Sequence, residues 1–154
     1  MRAAFMGLVL ALSLAAPVAA ADQVPFRGSL TGTVTVTPLV PPLASVLIEG
    51  TGDAAQLGRF TVEVPHLVNQ ATRIGVGTYV FTAANGDTLN ADFSGQATLV
   101  APGVLSVVES GVITGGTGRF AGATGSFAVE RTFFIATGRT TGSFSGTISS
   151  PGQG

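Results

Sequence analysis

The 154-residue chain has no cysteine, no tryptophan and no lysine, and it has one histidine and one tyrosine. Each absence removes a class of chemistry. Without cysteine there is no disulfide, no thiolate nucleophile and no thiolate metal ligand. With His66 the only imidazole, a zinc site would have to be built mostly from carboxylates, which is rare. A Ser-His-Asp triad would have to use His66. No serine is placed beside it, and there is no Gly-x-Ser-x-Gly elbow. The spaced acidic loop of a calcium-binding hand is also missing, so Asp53, Asp87 and Asp92 read as solvated turn carboxylates. No metal and no cofactor are expected. Charged residues make up only 10% of the chain, well under the usual quarter. Seven arginines stand against eight acids, which leaves no basic stripe for nucleic acid.

The start of the chain sets an expected compartment. Met1-Arg2 is a short positive opening, residues 3–16 are almost wholly apolar, and Pro17 is followed by small residues through Ala21. Charge, apolar stretch and a small-residue cut form the layout of a secretory signal peptide. The expected leader is 1–21, cleaved after Ala20 or Ala21, and the expected domain is 22–154. The apolar stretch is shorter than the roughly 20 residues of a spanning helix. No later stretch is apolar enough to span, so no membrane span is expected in the mature chain. The expected location is the periplasm or the external medium.

Helix formers are scarce, while 22 glycines are interleaved with threonine and other β-branched residues, a composition of short strands and tight turns. Period-2 alternation marks strands at Leu30–Thr37, Ala44–Gly50, Leu57–His66, Gly75–Ala83, Thr88–Ser94, Leu105–Thr114, Gly125–Ile135 and Thr140–Ser149. The expectation is an all-β fold, a single antiparallel domain of seven or eight strands built as a sandwich or a barrel. Around Asn85-Gly86, a three-residue loop with Gly86 left-handed gathers Tyr79, Phe81, Leu89, Ala91 and Phe93 on one face. A two-residue turn would scatter them, so the hydrophobic pattern selects the longer loop.

Residues 113–127 read Ile-Thr-Gly-Gly-Thr-Gly-Arg-Phe-Ala-Gly-Ala-Thr-Gly-Ser-Phe. A phosphate loop would need Gly-Lys-Ser/Thr followed by a helix, and Arg119-Phe120 stands there instead. The structural reading is a tight excursion in which Gly115, Gly116 and Gly118 take positive φ. In it Phe120 plugs the barrel end and Gly125 bends the chain into the next strand. The run Gly115, Gly116, Thr117, Gly118, Phe120, Ala123, Gly125 resembles the signature of the allene oxide cyclase and dirigent superfamily of calycin-type barrels. Together with Gly58-Arg-Phe-Thr61 and Ala84-Asn-Gly-Asp-Thr88, it also resembles a group of secreted bacterial proteins with this barrel. The resemblance implies an eight-stranded barrel, often with an apolar cavity. It carries over no catalytic residue, because the functional residues of those proteins lie outside the glycine motif.

Two charges fall on otherwise apolar strand faces. Glu109 shares a face with Leu105, Val107 and Ile113, and Arg131 shares one with Phe127, Val129, Phe133 and Ile135. A buried unpaired charge costs several kcal/mol, so each needs a partner, water or exposure. One expectation places Glu109 and Arg131 inside the barrel, with Tyr79 and His66 as further polar groups, to orient a small amphipathic ligand or serve acid–base chemistry. The alternatives are exposed faces, a register flip at Gly111, or a structural Glu–Arg bridge. Three functions follow: a barrel binding a small apolar ligand, an isomerase or cyclase acting by confinement, or a self-assembling structural protein. Of these the first leads, and enzymatic activity is not required by anything in the sequence.

Overall fold

The computed structural model describes residues 21–152. The expected leader, apart from Ala21, lies outside the described residues. Eight strands follow in order: β1 (Gln23–Pro38), β2 (Leu43–Ala54), β3 (Gly58–Asn69), β4 (Ile74–Ala83), β5 (Thr88–Ala101), β6 (Val104–Gly116), β7 (Gly125–Phe134) and β8 (Arg139–Ser149). Each pairs antiparallel with the next, and β8 pairs with β1 to close the barrel. The only helical element among the described residues is a 3-10 turn, Gly118–Phe120.

Several strands outrun the alternation that marks them in the sequence. β1 begins at Gln23 rather than Leu30, and its first half pairs with β8 and sets Phe26 in the core. β2 continues past Gly50 through Thr51-Gly52 to Ala54, β3 past His66 to Asn69, and β5 past Ser94 through Gly95-Gln96 to Ala101. In β2 and β5 the signal lapses at Gly52 and Gly95 because glycine carries little strand propensity. The ladder continues because both neighbours in a closed barrel supply partners on either side.

The Asn85-Gly86 loop takes the three-residue form. Tyr79 pairs with Ala91 and Phe81 with Leu89, and Gly86 has φ +92°. Tyr79, Phe81, Leu89, Ala91 and Phe93 all point inward and are buried.

Eight strands enclose a space that side chains can just fill, or that can hold one small ligand. This barrel does both, in different halves. At the end formed by the β2–β3, β4–β5 and β6–β7 connections, Phe26, Phe60, Tyr79, Phe81, Phe127 and Phe144 pack with centroids 5.0–6.1 Å apart. Glycines make room for these rings. A Cβ on Gly52 would lie 2.5 Å from Phe60 Cζ, and one on Gly111 2.7 Å from Phe127 Cζ.

The glycine motif closes this end. Phe120 is fully buried and Ala123 nearly so, and the Thr88 amide donates to Thr117 Oγ1 at 2.9 Å. Gly115 and Gly118 have positive φ, as the motif reading expected, and so does Gly125 where the chain bends into β7, but Gly116 does not. Gly116 is required for a different reason: a Cβ there would sit 2.1 Å from the Thr88 carbonyl oxygen.

Candidate functional site

The opposite half of the barrel is hollow. A cavity of about 550 Å³ opens between the β1–β2, β3–β4, β5–β6 and β7–β8 connections, and Val34, Val46, Val68, Ala97, Leu105 and Val107 contribute to its walls. His66, Phe93, Glu109 and Arg131 also line it, where it meets the packed half. The volume lies within the range that holds a small organic molecule.

The strands deliver the three polar side chains by simple alternation. His66 continues the inward series Phe60-Val62-Val64, Glu109 follows Leu105-Val107, and Arg131 follows Phe127-Val129. Each faces a glycine on a neighbouring strand: Gly77 opposite His66, Gly95 opposite Glu109 and Gly142 opposite Arg131. A Cβ on any of the three would come within 2.4 Å of its partner's side chain. Gly95 leaves room for the Glu109 side chain itself, whereas Gly77 and Gly142 let the backbones approach, since a Cβ there would lie 2.3 Å from the Pro65 or Glu130 carbonyl oxygen.

Glu109 and Arg131 are buried, with 2% and 8% exposure, so the exposed-face and flipped-register alternatives do not hold. Glu109 pairs with Val129 and Arg131 with Val107, which places the two charges diagonally across β6 and β7. Arg131 Nε and Nη2 both donate to Glu109 Oε1, at 3.0 and 2.6 Å. The Tyr79 hydroxyl donates to Oε2. Arg131 Nη1 donates to Thr140 Oγ1 at 3.3 Å, and that hydroxyl donates onward to the Thr132 carbonyl at 2.9 Å. Both carboxylate oxygens and all three guanidinium nitrogens are thereby engaged, the condition under which a buried pair is tolerated.

His66 differs. Nδ1 lies 2.9 Å from the Val64 carbonyl oxygen. A carbonyl only accepts, so Nδ1 carries the proton and Nε2 the lone pair. Among the described residues no protein group bonds Nε2. Burial lowers the pKa of His66, opposed by the Val64 hydrogen bond; the Arg131 charge lowers it further, and Glu109 acts against that. The ring is therefore neutral at neutral pH, with an acceptor available on a cavity wall. Phe93 meets it edge-on at 5.5 Å.

Of the four residues singled out in the sequence, the structure brings His66, Glu109 and Arg131 to the cavity. Tyr79 lies one layer deeper, stacked on Phe81 at 5.5 Å, and reaches the cavity only through Glu109. Its phenol is pushed well above the ordinary tyrosine value by burial first and by the Glu109 carboxylate second. Two residues went unread in the sequence. Phe93 was visible only as core, and Thr140 looked like one threonine among many. Its signal was positional, since Thr140 stands on the inward parity of Gly142 and Phe144.

No family model and no curated protein matches this sequence. Solved structures do. The pterocarpan synthase dirigent protein PsPTS1 superposes with a TM-score of 0.59 at 11% identity, covering 84% of this chain and 96% of that one. The pterocarpan synthase dirigent protein GePTS1 gives 0.58 at 13% identity, covering 91% and 98%. At this identity the likeness is one of fold. The chain folds as a barrel of the dirigent type.

Proposed function

We propose that this is an exported barrel protein that binds one small, predominantly apolar molecule bearing a hydroxyl in the hollow half of its barrel. The observation that carries the reading is the cavity itself, aliphatic on its walls and polar where it meets the core. The apolar body would be held by Val34, Val46, Ala97, Leu105 and Val107, and the hydroxyl would donate to His66 Nε2. The saturated Glu109–Arg131–Thr140 array would hold the polar end of the cavity in shape. Export is supported by the layout of residues 1–21, and the secreted bacterial barrels that the chain resembles agree with it.

Native mass spectrometry of residues 22–154, purified from the protein's own host, tests the proposal. A bound small molecule is expected, and it should be lost in Ala97→Phe, which fills the cavity from its wall. An adduct that persists in Ala97→Phe, or a chain that carries none and takes up no apolar dye, overturns it.

One observation favours a second reading, an isomerase acting by confinement: the neutral His66 faces the cavity with its lone pair. Nε2 could take a proton from one position of a bound molecule and return it at another, with no external oxidant or reductant. Conversion that disappears in His66→Gln while binding persists would support catalysis. Binding without conversion would leave the carrier reading alone.

A further inference from the structure

The two ends of the barrel differ outside as well as inside. Thirteen large hydrophobic residues are exposed among the described residues. Eleven of them fall in four segments around the cavity mouth, 36–43, 67–76, 99–103 and 134–139; Val108 and Val112 on the β6 wall are the others. The most prominent stand near the connections: Leu39 and Val40 between β1 and β2, Leu99 and Val100 at the end of β5, and Ile135 after β7. Val40 is 81% exposed. The same four segments contain no aspartate or glutamate, and their only charges are Arg73 and Arg139, both exposed. The closed end is mixed, with Asp22, Asp53 and Asp87 near Arg59 and Arg119.

An exposed apolar patch of this extent, rimmed by charge of one sign, is the signature of an interaction surface. Its shape and charge select the partner. The apolar groups form separate prongs around an opening rather than a flat, complementary patch. Prongs of this kind can enter the headgroup region of a bilayer, where no shape match is needed. Two exposed arginines in mouth segments that contain no aspartate or glutamate suit an anionic lipid surface. A second copy of the same mouth would instead bring arginine rims together.

We propose that the cavity mouth is a docking surface for anionic lipid bilayers, with Leu39, Val40 and Ile135 entering the interface and Arg73 and Arg139 meeting the headgroup charge. The barrel then stands upright on the membrane, and its cavity opens onto the lipid. The proposal does not depend on the cavity holding a ligand.

The test is flotation of residues 22–154 with vesicles of mixed phosphatidylglycerol and phosphatidylcholine, and with vesicles of phosphatidylcholine alone. Binding is expected to require the anionic lipid and to weaken as salt is raised. Replacing both arginines, Arg73→Gln with Arg139→Gln, should reduce partitioning about thirtyfold, at roughly a tenfold loss per 1.4 kcal/mol and about 1 kcal/mol per arginine. Val40→Asp should reduce it strongly, whereas Val112→Asp, an equally drastic change on the exposed barrel wall, should leave it unchanged. Circular dichroism establishes that each variant is folded. Equal loss in Val40→Asp and Val112→Asp, or no anionic preference, overturns the proposal. So does a vesicle-inert protein that sediments as a dimer dissociated by Val40→Asp, which would make the mouth a contact between copies.

Discussion

His66 and Tyr79 are each the only residue of their type, so their protonation can be followed without ambiguity. The pKa of His66 is lowered in the folded state. A histidine that resists protonation in the fold contributes stability that is present above its ordinary value of about 6.5 and is lost as pH falls through it. The protein is therefore expected to lose stability on acidification below about pH 6.5, before its exposed carboxylates titrate. Denaturant midpoints across this range should show that slope, and His66→Gln should remove it. Tyr79 behaves in the opposite sense. Its folded pKa is raised, so its contribution is present below about pH 10 and is lost as pH climbs past that value. Phenolate absorbance should rise together with unfolding rather than ahead of it. A phenolate signal that appears with the circular dichroism still native would show that Tyr79 is not buried against Glu109.

The strand pair β6–β7 carries the charged pair, and here the energetic question is what the pair is for. Removing one member leaves the other buried and unmatched, so Glu109→Ala should cost about 3–5 kcal/mol. Replacing both with apolar residues of similar volume, Glu109→Leu with Arg131→Met, should restore most of that loss, because the desolvation of both charges is relieved together. Urea titration measures each. If the double variant stays as unstable as the single one, the network through Tyr79 and Thr140 matters more than the pair itself. This element also shows how far the sequence could be read. Glu109 and Arg131 were visible as charges on apolar faces because alternation assigns a face to every strand residue. Their pairing was one of several open options because register between strands is set by contacts that a linear pattern does not contain. The first half of β1 was hidden for a related reason. Pro25 and Gly28 break the local signal around Phe26, and only pairing with β8 reveals it as strand. In the glycine motif, the turn conformations of Gly115, Gly118 and Gly125 were legible as chain geometry. The role of Gly116 was not, because it depends on the Thr88 carbonyl of a different strand.

The whole barrel is a packed half joined to a hollow half by the same eight strands. Protection of backbone amides should follow that division. Amides around the aromatic cluster, such as those of Phe81 and Val129, should exchange at the rate of global unfolding. Those at the mouth ends of the strands, such as Leu99 and Phe134, should exchange through smaller local openings. Hydrogen exchange resolved by residue measures this, and uniform protection from one end to the other would mean that the hollow half is as tightly held as the core. Closing a barrel whose first strand pairs with its last brings together residues far apart in sequence, as Val24 and Ile148 are.

The glycine facing Glu109 bears on how such a barrel can change over generations. Gly95 and Glu109 form a volume-sharing couple, because a Cβ at position 95 would take the space of Glu109 Cγ. Gly95→Ala alone would be a lesion, but accompanied by a shorter side chain at position 109 it becomes a rearrangement. Gly77 and Gly142 are fixed instead, because a Cβ there would lie 2.3 Å from the Pro65 or Glu130 carbonyl oxygen whatever side chain stands opposite. A new cavity shape is therefore reached by a paired exchange at 95 and 109, with the hydrogen-bonded frame untouched. Descendants of this chain should record a change of ligand as correlated substitutions at this couple.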